Sequence, residues 1–135
     1  MNAPVKPPAA SDLPEWNLAD LYAGRDDPRI ERDLAEAKTA NDALVALQGR
    51  FVGSRADAAG LGALIDQGLN LYERATNGLW SVGAYASLAA STARDDPAWA
   101  KFEADLRARS SQIAAESLFF TLELNELEDE EIAAA

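Results

Sequence analysis

Carboxylates are the only abundant reactive side chains in this sequence. Of its 135 residues, 23 are Asp or Glu and 12 are Lys or Arg, and neither His nor Cys occurs. Without imidazole or thiol there is no Ser-His-Asp or Cys-His pair, no disulfide framework and no zinc site of ordinary ligand type. Two carboxylates can hydrolyse a glycosidic bond when they face each other across a cleft at a set spacing. Here the acids fall where helix starts place them. Glu116, Glu123, Glu126, Glu128, Asp129, Glu130 and Glu131 all follow the last basic residue, Arg109. They lack the D-x-[DN]-x-[DN]-G spacing that wraps oxygens around calcium, so they read as a solvated face and a helix start. Gly60-Leu61-Gly62 lacks the third glycine and the lysine of a phosphate loop. No residue qualifies as a catalytic, cofactor-binding or metal-binding candidate.

The overall charge of −11 excludes two partner classes. Phosphate backbones and anionic membranes both need clustered Lys and Arg, and these are few and scattered. The 19 residues of 75–93 carry no charge. Six of them are Ser, Thr or Asn, at 76, 77, 81, 87, 91 and 92. This stretch therefore reads as a helix buried on most sides by protein, not as a membrane span. The start, with Pro4, Pro7, Pro8 and Pro14 and no apolar run, does not read as a signal peptide, and a cytoplasmic location is expected.

The elements that would position any site are helices. Alanine contributes 29 residues, whereas Leu, Ile, Val and Phe together contribute 29 more. That second group is little above the roughly 20% at which charged chains stop folding, so the core must be thin. Ala and Leu lose little side-chain freedom in a helix, and an all-α fold follows. Residues 1–13 read as a flexible proline-rich tail, and 14–135 as one helical domain. The arm Trp16-Asn17-Leu18-Ala19-Asp20-Leu21-Tyr22 is too short for a stable helix, so its apolar side chains must pack elsewhere.

Three long helices are expected, as an antiparallel bundle. The first, over about 28–52, opens at Asp26-Asp27-Pro28 and carries the stripe Ile30, Leu34, Ala37, Leu44, Leu47, Phe51, with Gly53 as its stop. The second, over about 56–92, opens with a capping-box pattern at Ser54-Arg55-Ala56-Asp57. Its stripe is Leu61, Leu64, Ile65, Leu69, Tyr72, Leu79, Val82, Tyr85, Leu88. Its glycines mark either close helix approach or a break near 68–78. The third, over about 97–124, opens at Asp95-Asp96-Pro97 and carries Trp99, Phe102, Leu106, Ile113, Phe120, Leu124, with ion pairs Glu103/Arg107 and Asp105/Arg109. Trp80, Tyr85, Trp99 and Phe102 are expected in the core. Phe119 and Phe120 cannot share one helix face, so both faces there should be covered. Another helix starts at Asp129, and the sequence reads as cut inside it.

Taken in order, Trp16-Asn17-Leu18-Ala19-Asp20-Leu21-Tyr22, Asp26-Asp27-Pro28, Tyr72-Glu73, Tyr85-Ala86-Ser87-Leu88, Asp95-Asp96-Pro97 and Leu118-Phe119-Phe120-Thr121-Leu122-Glu123-Leu124 resemble the N-terminal region of oligoendopeptidase F, of the thimet-oligopeptidase-like zinc metallopeptidases. The likeness runs from about residue 13 onward. It implies the N-terminal helical part of a larger, mostly helical peptidase with a deep channel for short peptides. It also implies a zinc ion held by a His-Glu-x-x-His helix and a later Glu, with the motif Glu as general base. None of those residues is present, so the resemblance places zinc in the parent enzyme and not on this chain. The chain is then a wall of the channel, inactive alone. Its partners are the rest of the peptidase chain and, for the parent, short peptides, and the isolated segment is expected to self-associate. A second reading is a free-standing acidic helical module that binds a partner protein and catalyses nothing.

Overall fold

The computed structural model describes residues 17–135. The expected tail at 1–13, and Trp16 of the arm, lie outside the described residues. Within 17–135 the chain is all-α, with no strand. Six helices follow a short 3-10 turn at Leu18–Asp20: α1 Pro28–Val45, α2 Arg50–Gly53, α3 Ala58–Thr92, α4 Pro97–Glu116, α5 Leu118–Asn125 and α6 Asp129–Ala134.

The helix starts obey local chemistry. Asp27 and Asp96 sit at the N-caps of α1 and α4, and their carboxylates accept from the backbone N–H two residues on, at 2.9 Å in both cases. Pro28 and Pro97 occupy the first turn, where a missing N–H costs nothing. The α3 cap is Asp57, whose carboxylate accepts from Gly60 N at 3.1 Å. The expected capping box beginning at Ser54 is thus corrected by three residues.

The single helix expected over 28–52 is two helices. Leu47 N and Gln48 N turn back to the carbonyls of Leu44 and Val45, at 2.9 and 3.1 Å. Gly49 then takes φ +80, a left-handed conformation that a Cβ would strain. The glycine that turns the chain is Gly49, and Gly53 only closes α2. The jog keeps both Leu47 and Phe51 in the core.

Helix α3 runs 35 residues without a break, about 52 Å at 1.5 Å per residue. The break expected near 68–78 is absent, because the glycines there serve packing. An added Cβ at Gly68 would lie 2.7 Å from the Phe120 ring and 2.9 Å from that of Phe51. One at Gly78 would lie 3.0 Å from Ala37 Cβ. These contacts also fix the topology. α3 runs antiparallel to α1, since residues 33 and 37 face 78 while 51 faces 68. Glu31 pairs with Arg109, and Asn41 with Glu116, so α4 runs parallel to α1.

The third expected helix, 97–124, also breaks, at Ser117. Its hydroxyl and its N–H both donate to the Ala114 carbonyl, at 3.1 and 3.3 Å. That satisfies one carbonyl twice and redirects the chain. The new direction drives Phe120 onto Phe51 and Tyr72, at ring distances of 5.3 and 5.5 Å. Phe120 is buried, and Phe119 packs beside the same cluster. The expected Asp105/Arg109 pair does not form. Arg109 holds Glu31 of α1 in two bonds of 2.7 and 2.8 Å, and Asp105 takes Lys101 instead.

Two apolar clusters result. One joins Leu44, Leu47, Phe51, Leu64 and Phe120. The other joins Tyr22, Ile30, Leu34, Val82, Tyr85 and Leu106, with Leu18, Trp99 and Phe102 against it. The arm therefore packs its Leu18 and Tyr22 onto the bundle, while Leu21 stays 40% exposed. The Tyr22 ring meets Tyr85 edge to face at 5.1 Å, and its hydroxyl donates to Asp33 at 2.8 Å. Burial first, and then that bond to a carboxylate, push the Tyr22 phenol up to about 12.

Two predictions follow from this packing. Gly68→Ala forces the two rings apart and should destabilise by about 1–3 kcal/mol. Gly83→Ala, with open space at its Cβ, should stabilise by about 0.5–1 kcal/mol. Thermal midpoints of the two variants against the parent chain check the opposite signs. The second concerns alkali. A folded pKa above the unfolded one means that the Tyr22 contribution is whole below pH 10 and lost as pH rises through about 12. Denaturant midpoints at pH 9 and 11 should fall less in Tyr22→Phe than in the parent. Tyr85 shifts the same way, so part of the slope remains.

Candidate functional site

Helices α3 and α4 fail to close on each other along their middle turns, and the reason is in their facing rows. Going down α4, the row that lines the gap is Leu106, Ser110, Ala114, Ser117, while the large apolar Ile113 is not among the groove's lining residues. The facing row on α3 is Tyr72, Thr76, Leu79, Trp80 and Gly83. Small residues against small residues leave a groove of about 530 Å³, within the range of ligand-sized clefts. Its floor is Asn41 of α1. Leu118 and Thr121 of α5 close one end, and the Glu103–Arg107 ion pair, at 2.7 Å, stands at the other.

The mouth is apolar and wet. Trp80 is 74% exposed, Leu118 63% and Leu122, one turn beyond it, 56%. Trp80 was expected in the core beside Tyr85, Trp99 and Phe102. Tyr85 is buried and the other two pack against the Tyr22 cluster, but Trp80 points out. Leu69 and Leu88, two other members of the α3 stripe, are 45% and 41% exposed. The expectation that 75–93 is covered on most sides is therefore corrected: α3 buries Ala75, Val82, Tyr85, Ala86 and Ala89 and leaves the side with Trp80 and Leu88 open. No helix of the described residues is long and apolar enough to cross a membrane.

The floor is polar and incompletely paired. Asn41 is 1% exposed, and its Nδ2 donates to Glu116 Oε2 at 3.3 Å. Its Oδ1 accepts nothing, and the Ser110 Oγ beside the groove is also buried and unpaired. A buried polar atom without a partner costs about 1–3 kcal/mol, so this floor is less stable than an apolar one. Sequence reading did not single out Asn41 or Ser110. The signal was present for Asn41: it sits between Ala37 and Leu44 at the spacing of the apolar stripe, where a polar residue has no structural reason to be.

The acidic C-terminal stretch is mostly a solvated face and a helix start, as expected: Glu116, Glu126, Glu128, Asp129 and Glu130 are exposed, and Asp129 to Glu131 open α6. Glu131 Oε2 accepts from Glu128 N at 2.8 Å, capping α6. Glu123 is an exception to the solvated face: it accepts from Gly49 N at 2.6 Å and so ties α5 to the α1–α2 turn. Arg55 reaches across to the Glu126 carbonyl and lies 3.6 Å from Glu131. Asp27 accepts from Ala23 N and Arg29 N and is gripped by the Arg29 guanidinium, which holds its carboxyl well below the usual range. Among the described residues no group of three or more His, Cys, Asp or Glu is placed to hold a metal. Among the described residues the groove is accompanied by a second cleft of about 340 Å³ between α1 and α3, lined by Asp33, Glu36, Arg74 and Asn77. Comparison of the chain with protein-family models, curated proteins and solved structures finds no match.

Proposed function

We propose that this chain is the N-terminal helical segment of an oligoendopeptidase F-like zinc metalloendopeptidase, a cytoplasmic enzyme that hydrolyses short oligopeptides. In this reading the groove between α3 and α4 is the face by which the segment leans on the rest of the peptidase chain. The segment helps to wall the substrate channel. It supplies no catalytic residue, and zinc belongs to the body it joins. The observation that supports docking is the open mouth: Trp80 and Leu118 stand more than 60% exposed over an apolar groove with an unpaired polar floor. Large apolar groups gathered in this way mark interaction surfaces. The peptidase identity rests on the ordered motifs from Trp16 to Leu124.

The two closed clusters favour the second reading, a free-standing acidic helical module that binds a partner without catalysis, because they let the chain fold alone. The two readings diverge outside residue 135. The peptidase reading expects the reading frame to continue to a His-Glu-x-x-His helix. It expects no cleavage of a quenched-fluorescent peptide by the purified chain with zinc. It also expects the chain to bind a separately expressed catalytic part. Trp80→Ser with Leu118→Ser should weaken that binding at least tenfold and move the thermal midpoint little, since exposed substitutions change stability by about 0.5 kcal/mol or less. A frame that closes without the motif, or zinc-dependent cleavage by the chain alone, contradicts the proposal.

A further inference from the structure

The groove runs along its walls rather than across them. On α3, Tyr72, Thr76, Leu79, Gly83 and Ala86 line it at steps of four, three, four and three. On α4, Glu103, Arg107, Ser110, Ala114 and Ser117 line it at the same steps. One straight face of each helix therefore looks into the gap over two heptads, as helices do along a seam they share with a further helix. Ring contacts pin the walls at either end, Tyr85 with Phe102 at 6.5 Å and Tyr72 with Phe120 at 5.5 Å. From Tyr72 to Ala86 the α3 wall is about 21 Å long at 1.5 Å per residue.

The walls select what fills them. Both are helices whose backbone groups are already paired, so an extended segment would leave its own N–H and C=O groups without partners. A helix satisfies those groups internally. A small ring would cover only part of the length. Charge narrows the choice further. In a chain with 23 acids, only Glu103 and Arg107 among the lining residues are charged, and they pair with each other at 2.7 Å. The face inserted between such walls is uncharged, because a charge there would lose its hydration unpaired. Trp80 stands on the α3 bank and Leu118 on the α5 bank, both exposed, and both gain cover from a helix laid between them.

We infer that the groove receives an amphipathic helix of about four turns from the body on which this segment leans, laid lengthwise between α3 and α4 with its uncharged face inward. This rests on the docking reading above and adds the form and chemistry of the element received. With it in place, α1, α3, α4 and the incoming helix make a four-helix bundle.

The test uses the whole 135-residue chain, labelled with nitrogen-15, and two peptides of about 14 residues with the same composition of leucine, lysine and glutamine. In one, the leucines recur at steps of three and four and make a single apolar face. In the other they are shuffled so that no face forms. The first peptide should gain helical circular dichroism on mixing and shift the Trp80 indole N–H. It should half-saturate at about tenfold lower concentration than the shuffled one. Gly83→Leu puts a side chain into the open space of the trough and removes a helix-weakening glycine. It should cost about tenfold in peptide binding while the thermal midpoint holds or rises. Thr76→Phe, one heptad away at an exposed position, should do the same if Gly83→Leu disturbs the fold. Equal response to the two peptides, no gain of helix, or unchanged binding by the filled variants would overturn the inference. So would Trp80 shifts that follow protein concentration before any peptide is added, since a second copy would then occupy the groove. The docking reading is judged apart, on the catalytic part. If Trp80→Ser with Leu118→Ser weakens that binding and Gly83→Leu does not, docking stands and the helix falls. If the catalytic part does not bind at all, the docking reading falls and the helix loses its source.

Discussion

The structure depends on how closely α3 can approach its neighbours. The chain has too few large apolar residues to fill a wide core, so stability must come from contact at short range. Alanine and glycine on α3 make that possible. Gly78 lets Ala37 of α1 come within contact, and Gly68 makes a seat for the rings of Phe51 and Phe120. Each glycine weakens the isolated helix by about 1 kcal/mol, and close packing on both sides offsets it. α1 therefore packs closely on α3 at these glycines. Its own stripe is buried from Ile30 to Leu44.

The same economy explains the groove. The small side of α3 is already used against α1. The side that faces α4 carries Thr76 and Gly83, and α4 answers with Ser110 and Ala114. Nothing large is left to fill the gap. The big residues nearby, Trp80 and Leu118, stand at its edges and remain wet. A bundle that is tight on one side and open on the other is suited to be half of an interface. Asn41, a buried polar residue in the α1 stripe, lies at the base of this gap and donates to Glu116 across to α4. Under the proposed peptidase reading, that open side would be the face that meets the rest of a larger enzyme.

Much of this was legible in the residues, and the failures share one cause. The helical class, the Asp-Pro starts at 27–28 and 96–97 and the α1 stripe depend on local rules, and local rules are written in sequence. The breaks at Gly49 and Ser117 were missed because each lies inside an apolar rhythm that continues past it. Only the need to bring Phe51 and Phe120 together over Gly68 decides that the chain must jog there. Trp80 was misplaced for a related reason. Periodicity marks a helix face but not which face wins burial when one side is small and the other large. On α3 the buried side carries Leu61, Leu64, Val82 and Tyr85 together with Gly68 and three alanines, and Trp80 lies off it. The groove, with Asn41 and Ser110 in it, needs three helices to exist, so only the odd polar residue in the α1 stripe pointed to it.

The exposure of Trp80 measures the central claim most directly. In the variant Trp16→Phe with Trp99→Phe, the indole of Trp80 is the sole tryptophan, and acrylamide quenching reports its access to solvent. The account predicts strong, nearly free quenching with red-shifted emission in the 135-residue chain, and a marked fall in quenching with a blue shift once the catalytic part is bound. Quenching that is equally strong in the complex would show that the open side of the bundle is not where the larger body sits.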